Sequence, residues 1–134
     1  MFSLPVRIYW EDTDAGGVVY HAQYVAFMER ARSEWMRANG HGQESLRQAG
    51  MVFAVRAMTV DFLKPARLDD ALEVTAALAE CRRASLVFRQ EVLRGGERLL
   101  AATVRIAALD AATFRPAPIP AGLHAQLAAL QSPT

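Results

Sequence analysis

The stretch from Trp10 to Tyr24 carries the side chains of this sequence that are best suited to chemistry. It reads WEDTDAGGVVYHAQY, and in it Asp14 lies seven residues before His21, where a helical pattern begins. The N-terminus of a helix offers unpaired N–H groups and a partial positive charge, which can stabilise an oxygen that becomes negative in a transition state. A carboxylate beside such a donor can attack a carbonyl or activate water. Together they are the minimum equipment for hydrolysing an activated acyl group.

Other interpretations of this stretch remain open. Asp12 and Asp14 can serve as turn and N-cap residues without any chemistry. The letters DTDAGG are also similar to the start of a calcium loop, but its last position would be Gln23, where a bidentate Glu is needed. The sequence does not favour a zinc site, because Cys81 and the three histidines are scattered along the chain and lack the spacing of zinc ligands. A lone histidine such as His21 is more often packed or exposed than catalytic.

Substrate contacts are predicted at the glycine turn and at two places further along the chain. Glycine lets a substrate approach the backbone closely. Thr59 alternates with apolar residues, so it borders a pocket or occupies a wet sheet face. Arg82 and Arg83 lie at a predicted strand junction, where they bind phosphate or are solvated turn residues. The residues that we predict to bind substrate are Gly17, Val18, Tyr20, Thr59, Arg82 and Arg83.

The hydrophobic periodicity predicts an α+β domain with one long helix. Val6, Ile8 and Trp10 alternate with polar residues and indicate a strand over 4–10. A helix is predicted over 21–38 with one apolar stripe, flanked by charged residues that include Arg32. Further strands are predicted over 51–63, 71–81, 85–94 and 98–109, and a short C-terminal helix over 121–131. A helix with one apolar stripe should pack face to face on an antiparallel sheet.

Length and composition favour one globular domain over residues 1–134, with a core of about 4–110 and a tail over 111–134. Hydrophobic residues make up 52% and charged residues 22%, which argues against disorder. The net charge of +1 provides no broad basic field, so nucleic acid is not expected as a partner. The first ten residues lack the apolar region of a secretory signal, and no run approaches the roughly 20 apolar residues that cross a bilayer. We expect a cytoplasmic protein without a transmembrane segment, whose membrane association would be peripheral.

The residues YWEDTDAGGVVYHAQYVAFMERARSEWMR, at 9–37, resemble the segment that marks the Tol-Pal-associated acyl-CoA thioesterases, a branch of the 4-hydroxybenzoyl-CoA thioesterase group. The resemblance continues through FAVRAMTVDFLKPARLDDALEV and SLVF, and it covers most of residues 5–109. It implies a hotdog fold, in which a five-stranded antiparallel sheet wraps around the long central helix. It also implies that subunits pair edge to edge into dimers, and often into tetramers, with active sites at the dimer interface.

The resemblance assigns roles to individual residues. Asp14 matches the catalytic aspartate, and the backbone N–H at His21 matches the donor to the thioester oxygen. The side chain of His21 matches a histidine of the catalytic set. Arg82 and Arg83 match a basic pair that contacts the phosphates of coenzyme A, although the lysine that follows that pair is Ala84 in this chain.

Trp10 departs from the family, which usually has a tyrosine of the catalytic set at this position. Indole has only an N–H donor and cannot exchange a proton usefully near neutral pH. Because Val6, Ile8 and Trp10 would share one strand face, we predict that Trp10 points toward the helix. It would then hold the turn that carries Asp14 by packing alone.

The resemblance implies hydrolysis of acyl-CoA thioesters with a short or medium acyl chain, and of acyl groups on acyl carrier protein. No cofactor is implied, since coenzyme A is part of the substrate. One alternative is a weakly catalytic binding module that docks acyl carrier protein or lipid-synthesis enzymes at the inner membrane. Another is hydration or dehydration of an acyl thioester. Asp14 and the glycine turn favour hydrolysis over both.

Overall fold

A long helix lies against an antiparallel sheet in the computed structural model, which describes residues 1–132. The last two residues of the predicted domain, 133 and 134, lie outside that range. The elements are β1 (Ser3–Arg7), α1 (His21–Ala38), α2 (Gln43–Gln48), β2 (Met51–Phe62), β3 (Ala71–Thr75), β4 (Ala77–Cys81), β5 (Ser85–Arg94), β6 (Glu97–Asp110) and α3 (Ala121–Ala129). The predicted α+β arrangement, with its long helix and short C-terminal helix, is confirmed.

The sheet runs in the order β1, β3, β5, β6, β2, with β4 also paired to β5. Every pairing is antiparallel. Within the described residues β2 pairs only with β6, so the other side of this twelve-residue strand is an open edge. The strand begins at Met51, which pairs with Asp110, and ends at Phe62, which pairs with Leu100.

The strand predicted over 71–81 is interrupted at Ala76, and this divides it into β3 and β4. Beside Ala76, hydrogen bonds that involve the side chains of Thr75 and Gln90 replace the backbone hydrogen bonds between the strands. The Oγ1 of Thr75 accepts the N–H of Glu91 at 2.8 Å, and the carbonyl of Thr75 accepts the side-chain amide of Gln90 at 3.1 Å. The residues on either side keep the same register against β5. The five predicted strands therefore form six segments.

The first strand ends three residues earlier than predicted, at Arg7 instead of residue 10. The N–H of Ile8 bonds the carbonyl of Asp70 at 2.9 Å, and residues Trp10–Asp12 then form a 3-10 turn. This turn breaks the alternation, so Ile8 is buried while Trp10 is 79% exposed. The prediction that Trp10 packs toward the helix is therefore wrong.

The core forms between α1 and the inner face of the sheet. The predicted apolar stripe of α1 is confirmed, since Tyr24, Phe27, Met28, Ala31 and Trp35 are all buried. Arg32 was expected to flank this stripe but is only 5% exposed. That expectation is wrong because Arg32 lies one helical turn after Met28 on the same face. In residues 1–132, no helix is long and apolar enough to span a membrane.

Candidate active site

Asp12 holds the turn that precedes α1. Its side chain is buried, with one carboxylate oxygen accepting the N–H of Tyr9 at 2.9 Å and the other accepting the amide of Gln23 at 2.8 Å. Its carbonyl accepts the N–H of Tyr20 at 2.9 Å. Asp12 thus ties the end of β1 to the first turn of α1. For this residue, the interpretation as a turn residue without chemistry fits the structure.

Asp14 is exposed, in contrast to Asp12. Its N–H bonds the carbonyl of Val18 at 2.9 Å, and its carboxylate accepts the N–H of Gly16 at 2.8 Å. A Cβ atom at Gly16 would lie 3.1 Å from that carboxylate oxygen, which is tighter than ordinary van der Waals contact. Gly17 has φ +80°, a left-handed conformation that favours glycine. Both glycines therefore shape the loop around the carboxylate.

His21 is the first residue of α1, and Tyr20 occupies the N-cap without a side-chain hydrogen bond to the helix. Among residues 1–132, no backbone acceptor bonds the N–H of His21 or of Ala22. The imidazole lies 4.6 Å from the ring of Tyr20 and 6.4 Å from that of Phe62, measured between ring centroids. The helix end is therefore uncovered, with an aromatic wall beside it.

Three of the predicted site residues share one open cavity of about 350 Å³. Asp14, Val18 and His21 line it, together with Tyr24 and the segment 62–65. Gly17 and Tyr20 adjoin these lining residues in the chain, and both are exposed. The structure thus brings the carboxylate and the open helix end to the same space, although in the single chain the side chain of Trp10 points into solvent and does not line it.

Residues 62–65 line this cavity, and most of them belong to the loop over 63–70, for which the sequence predicts no role in the site. The carbonyl of Ala66 accepts the N–H of Val19 at 2.9 Å. The N–H of Ala66 donates to the hydroxyl of Tyr24 at 3.1 Å. Because Ala66 is fully buried, these bonds fix the loop against α1. The tyrosine hydroxyl that holds the loop follows no motif that sequence could reveal.

Asp70 secures the far end of this loop. Burial acts to raise the pKa of Asp70, but the N–H of Arg67 and the guanidinium of Arg94, each at 2.8 Å, outweigh it and lower that pKa below its ordinary value. Arg94 also pairs with Glu97 at 2.9 Å. The charged form of Asp70 therefore stabilises the folded loop.

The remaining predicted residues lie elsewhere. Thr59 pairs with Thr103 and lines a different cavity of about 350 Å³, together with Arg89 and Asp61. Arg82 and Arg83 lie in the turn between β4 and β5, where they are exposed. Arg82 also forms an ion pair with Glu80 at 2.6 Å. Within one chain, neither Thr59 nor the arginines join the Asp14 cavity.

The arginine turn lies at the opposite end of the sheet from that cavity. Next to the turn, Ser85 pairs with Ala107 of β6, whereas Phe62 at the cavity pairs with Leu100. These two positions on β6 are seven residues apart, or about 23 Å along the strand. A molecule that contacts both places must reach across the sheet or between two chains.

Neither metal interpretation finds a ligand set in the part of the chain that the structure describes. No three His, Cys, Asp or Glu side chains come together there in a group that could hold an ion. Gln23, which would close a calcium loop, instead donates its amide to Asp12.

Comparisons with known proteins agree on one family. A family model described as the thioesterase-like superfamily matches residues 8–127. The acyl-CoA thioester hydrolase YbgC of Escherichia coli is 45% identical over 127 residues, covering 94% of this chain and 95% of that protein. The acyl-CoA thioesterase YbgC of Haemophilus influenzae is 42% identical over 120 residues, covering 89% and 88%. The crystal structure of a probable thioesterase from Bartonella henselae superposes with a TM-score of 0.83 at 34% identity, covering 88% of this chain and 98% of that one.

Proposed function

Since this chain belongs to the thioesterase-like superfamily and has the hotdog fold, we propose that it hydrolyses acyl-CoA thioesters to a free acid and a thiol. The observation that carries the proposal is the cavity shared by Asp14 and the uncovered N-terminus of α1. The relatives named as acyl-CoA thioester hydrolases support it over almost the full chain. The comparisons give no support to the binding-module alternative.

The geometry suggests how the reaction proceeds. The thioester carbonyl oxygen would accept a hydrogen bond from the backbone N–H of His21. The N-terminus of α1 would then stabilise the negative charge that develops on this oxygen. The carboxylate of Asp14 either attacks the carbonyl carbon or removes a proton from the water that does so. In both cases the C–S bond breaks and coenzyme A leaves as the thiolate, which takes up a proton that comes in the end from water. If Asp14 attacks directly, a second step follows in which water hydrolyses the acyl–aspartate anhydride to the free acid and restores the carboxylate. On the resemblance we assign the side chain of His21 to the catalytic set, and Trp10 occupies the position of that set's tyrosine without a group that can exchange a proton.

We infer that the active form is a dimer paired through β2, or a tetramer of such dimers. The open edge of β2 is long and carries the half-exposed side chains of Val55 and Phe62. Two copies related by a two-fold axis would pair these edges antiparallel, so that the start of one β2 lies beside the end of the other. The turn with Arg82 and Arg83 of one copy would then approach the Asp14 cavity of the second.

We propose substrates with a short or medium acyl chain, carried by coenzyme A or by acyl carrier protein, and no cofactor. The contacts assigned to Gly17, Val18, Tyr20 and Thr59 belong to this proposal. The resemblance places the chain in the Tol-Pal-associated branch, with a role in lipid metabolism in the cytoplasm or at the surface of the inner membrane. We treat residues 1–134 as one domain.

Thiol release from a panel of acyl-CoA substrates tests the proposal. Asp14→Asn keeps the shape of the loop but removes the charge, so kcat should fall on the order of 10²–10⁴-fold. The matched control is Glu11→Gln, which neutralises an exposed carboxylate of the same turn and should leave kcat unchanged. Activity of Asp14→Asn within a few-fold of the parent would remove Asp14 from the mechanism.

A second substrate tests the arginine pair. Replacing Arg82 and Arg83 together by Ala should raise KM strongly for acyl-CoA and weakly for an acyl-pantetheine, which lacks the nucleotide phosphates. Arg37→Ala, at an exposed position of α1, serves as the charge control. Equal effects on both substrates would show that Arg82 and Arg83 do not bind the nucleotide phosphates and are ordinary turn residues.

A further inference from the structure

A cavity of about 340 Å³ lies at the opposite end of β2 from Asp14. It is enclosed by α1, α2 and the start of β2. Most of its lining is apolar and includes Met36, Leu46, Phe53 and Ile106. Its polar lining includes two cations, Arg47, which is exposed, and Arg32, whose side chain is buried in the core of the protein.

Arg32 has an incomplete set of partners. It is 95% buried, since only 5% of its surface is exposed, and one terminal nitrogen donates to the Oε1 of Gln90 at 2.9 Å. In residues 1–132 it makes no other hydrogen bond and no ion pair. Gln90 is neutral, and its own amide already donates to the carbonyls of Met28 and Thr75. Arginine carries five N–H donors in a rigid fork, so several of them remain for a ligand.

The charge of Arg32 is only partly compensated. Burial lowers the pKa of Arg32, and the nearby carboxylate of Glu29 opposes this. Glu29 is exposed at the rim of the cavity, where water screens its charge. A buried guanidinium without a close counter-charge is unfavourable, and an anionic oxygen placed against it would relieve that cost.

We propose that this cavity binds the far end of an acyl group that carries a hydrogen-bond-accepting oxygen, foremost a carboxylate, and that Arg32 selects it. The apolar lining would hold the methylene groups, and the guanidinium would hold the oxygen. This inference rests on the proposed thioesterase activity and on pairing through β2. In that pairing, Asp14 of a second copy would lie near the end of the strand where this cavity opens.

Three substrates of matched shape test the preference. Succinyl-CoA ends in a carboxylate, 4-oxopentanoyl-CoA ends in a neutral ketone, and 4-methylpentanoyl-CoA is their apolar isostere. We expect kcat/KM for the succinyl substrate, after subtraction of uncatalysed hydrolysis, to exceed that of the apolar isostere by at least about tenfold. The ketone should fall between them.

Variants separate selection by Arg32 from a purely structural role. Arg32→Met removes the charge but keeps the length, so the three kcat/KM values should converge to within about threefold. Arg32→Gln removes the charge but keeps an N–H donor for Gln90, so it should also lose most of the preference for the carboxylate, and it covers the case in which the Met variant does not fold. The control is Arg30→Met, at an exposed neighbour on α1 that should leave the ratios unchanged. A structural role would lower all three values together and leave their ratios intact.

The outcomes distinguish this inference from the proposed function. If the apolar isostere is hydrolysed as fast as both oxygen-bearing substrates, or if Arg32→Met folds and keeps the parent ratios, the inference is overturned while the thioesterase activity stands. If no substrate of the wider acyl-CoA panel releases thiol, the proposed function is overturned and this inference falls with it.

Discussion

The two aspartates of the turn should respond to substitution in opposite ways. Asp12 is buried and accepts two hydrogen bonds through its carboxylate, whereas Asp14 is exposed and accepts one from its own loop. We therefore expect replacement of Asp12 to lower the free energy of unfolding. Replacement of Asp14 by Asn should lower kcat and leave stability nearly unchanged.

The size of the effect at Asp12 follows from its partners. Asp12→Ala leaves the N–H of Tyr9 and the amide of Gln23 without acceptors, at about 1–3 kcal/mol for each orphaned group. Both partners are only partly buried and can reach some water, so the lower half of that range applies. With two such groups, we expect a loss of about 2–4 kcal/mol. Asp12→Asn should cost less than about 1.5 kcal/mol, because Asn still accepts from Tyr9 and can donate to Gln23 once the amide of Gln23 turns over.

Urea unfolding of the parent, Asp12→Ala, Asp12→Asn and Asp14→Asn measures these differences at a fixed protein concentration. A double-mutant cycle of Asp12→Ala with Gln23→Ala should give a coupling energy of about 1 kcal/mol. The reasoning is refuted if Asp12→Ala unfolds at the parent's urea concentration, or if Asn and Ala at this position are equally destabilising. The second result would mean that charge, not hydrogen-bond geometry, holds the turn.

Three further predictions concern the same end of the molecule. In thiol-release assays, Gly16→Ala should lower kcat/KM by at least about tenfold, since the new Cβ crowds the carboxylate of Asp14. The control is Gly42→Ala, whose new Cβ meets no atom within 4 Å and which should leave kcat/KM unchanged. Trp10→Ala should change the free energy of unfolding by less than about 1 kcal/mol, because its ring is exposed, and a larger loss in urea would indicate a buried contact. Asp70 has a depressed pKa, so its stabilisation is present above the ordinary aspartate value near pH 3.9 and is lost as pH falls through the lower folded-state pKa. Urea midpoints between about pH 2 and pH 7 should therefore fall less steeply on acidification in Asp70→Asn than in the parent.

Sequence alone predicted the elements that have a long, regular periodicity or a clear turn between them. The stripe of α1 spans several helical turns, and the two adjacent glycines at 95 and 96 mark the hairpin turn between β5 and β6. The start of α1 at His21 was also predictable, because the spacing changes there from two to about four residues. The meeting of Asp14 with the helix end followed from this, since the glycine turn leaves little chain between them.

The first strand shows where such reasoning fails. Alternation through Trp10 is compatible with a strand, but it contains no information about the partner strand. The hydrogen bonds of Ile8 to Asp69 and Asp70, about sixty residues away in sequence, continue the pairing of β1 just past Arg7, and the 3-10 turn Trp10–Asp12 then turns the chain away from the sheet. The alternation of nearby residues contains no information about contacts with a loop that is distant in sequence.

Arg32 and Gln90 illustrate a signal that was present but incomplete. Each interrupts an apolar series at an inward position, Arg32 after Met28 on the helix and Gln90 between Phe88 and Val92 on β5. A polar side chain at such a position must find a partner in the core, because an unpaired buried donor is costly. Two such interruptions in one small domain are therefore expected to meet, and they do so at 2.9 Å.

The break in the sheet near the Arg32–Gln90 pair could not be predicted from the sequence. The amide of Gln90 donates to the carbonyl of Thr75, and the pairing with β5 is interrupted at Ala76, between β3 and β4. The break thus lies beside the residue that holds the buried cation. If Arg32 were replaced by Met, the Oε1 of Gln90 would lose its donor. A variant carrying Leu at both positions would remove both polar groups of Gln90 and would leave the carbonyls of Met28, which lies within α1, and of Thr75 without their side-chain donor. That double variant should be more stable than Arg32→Met alone, which urea unfolding of both proteins would show.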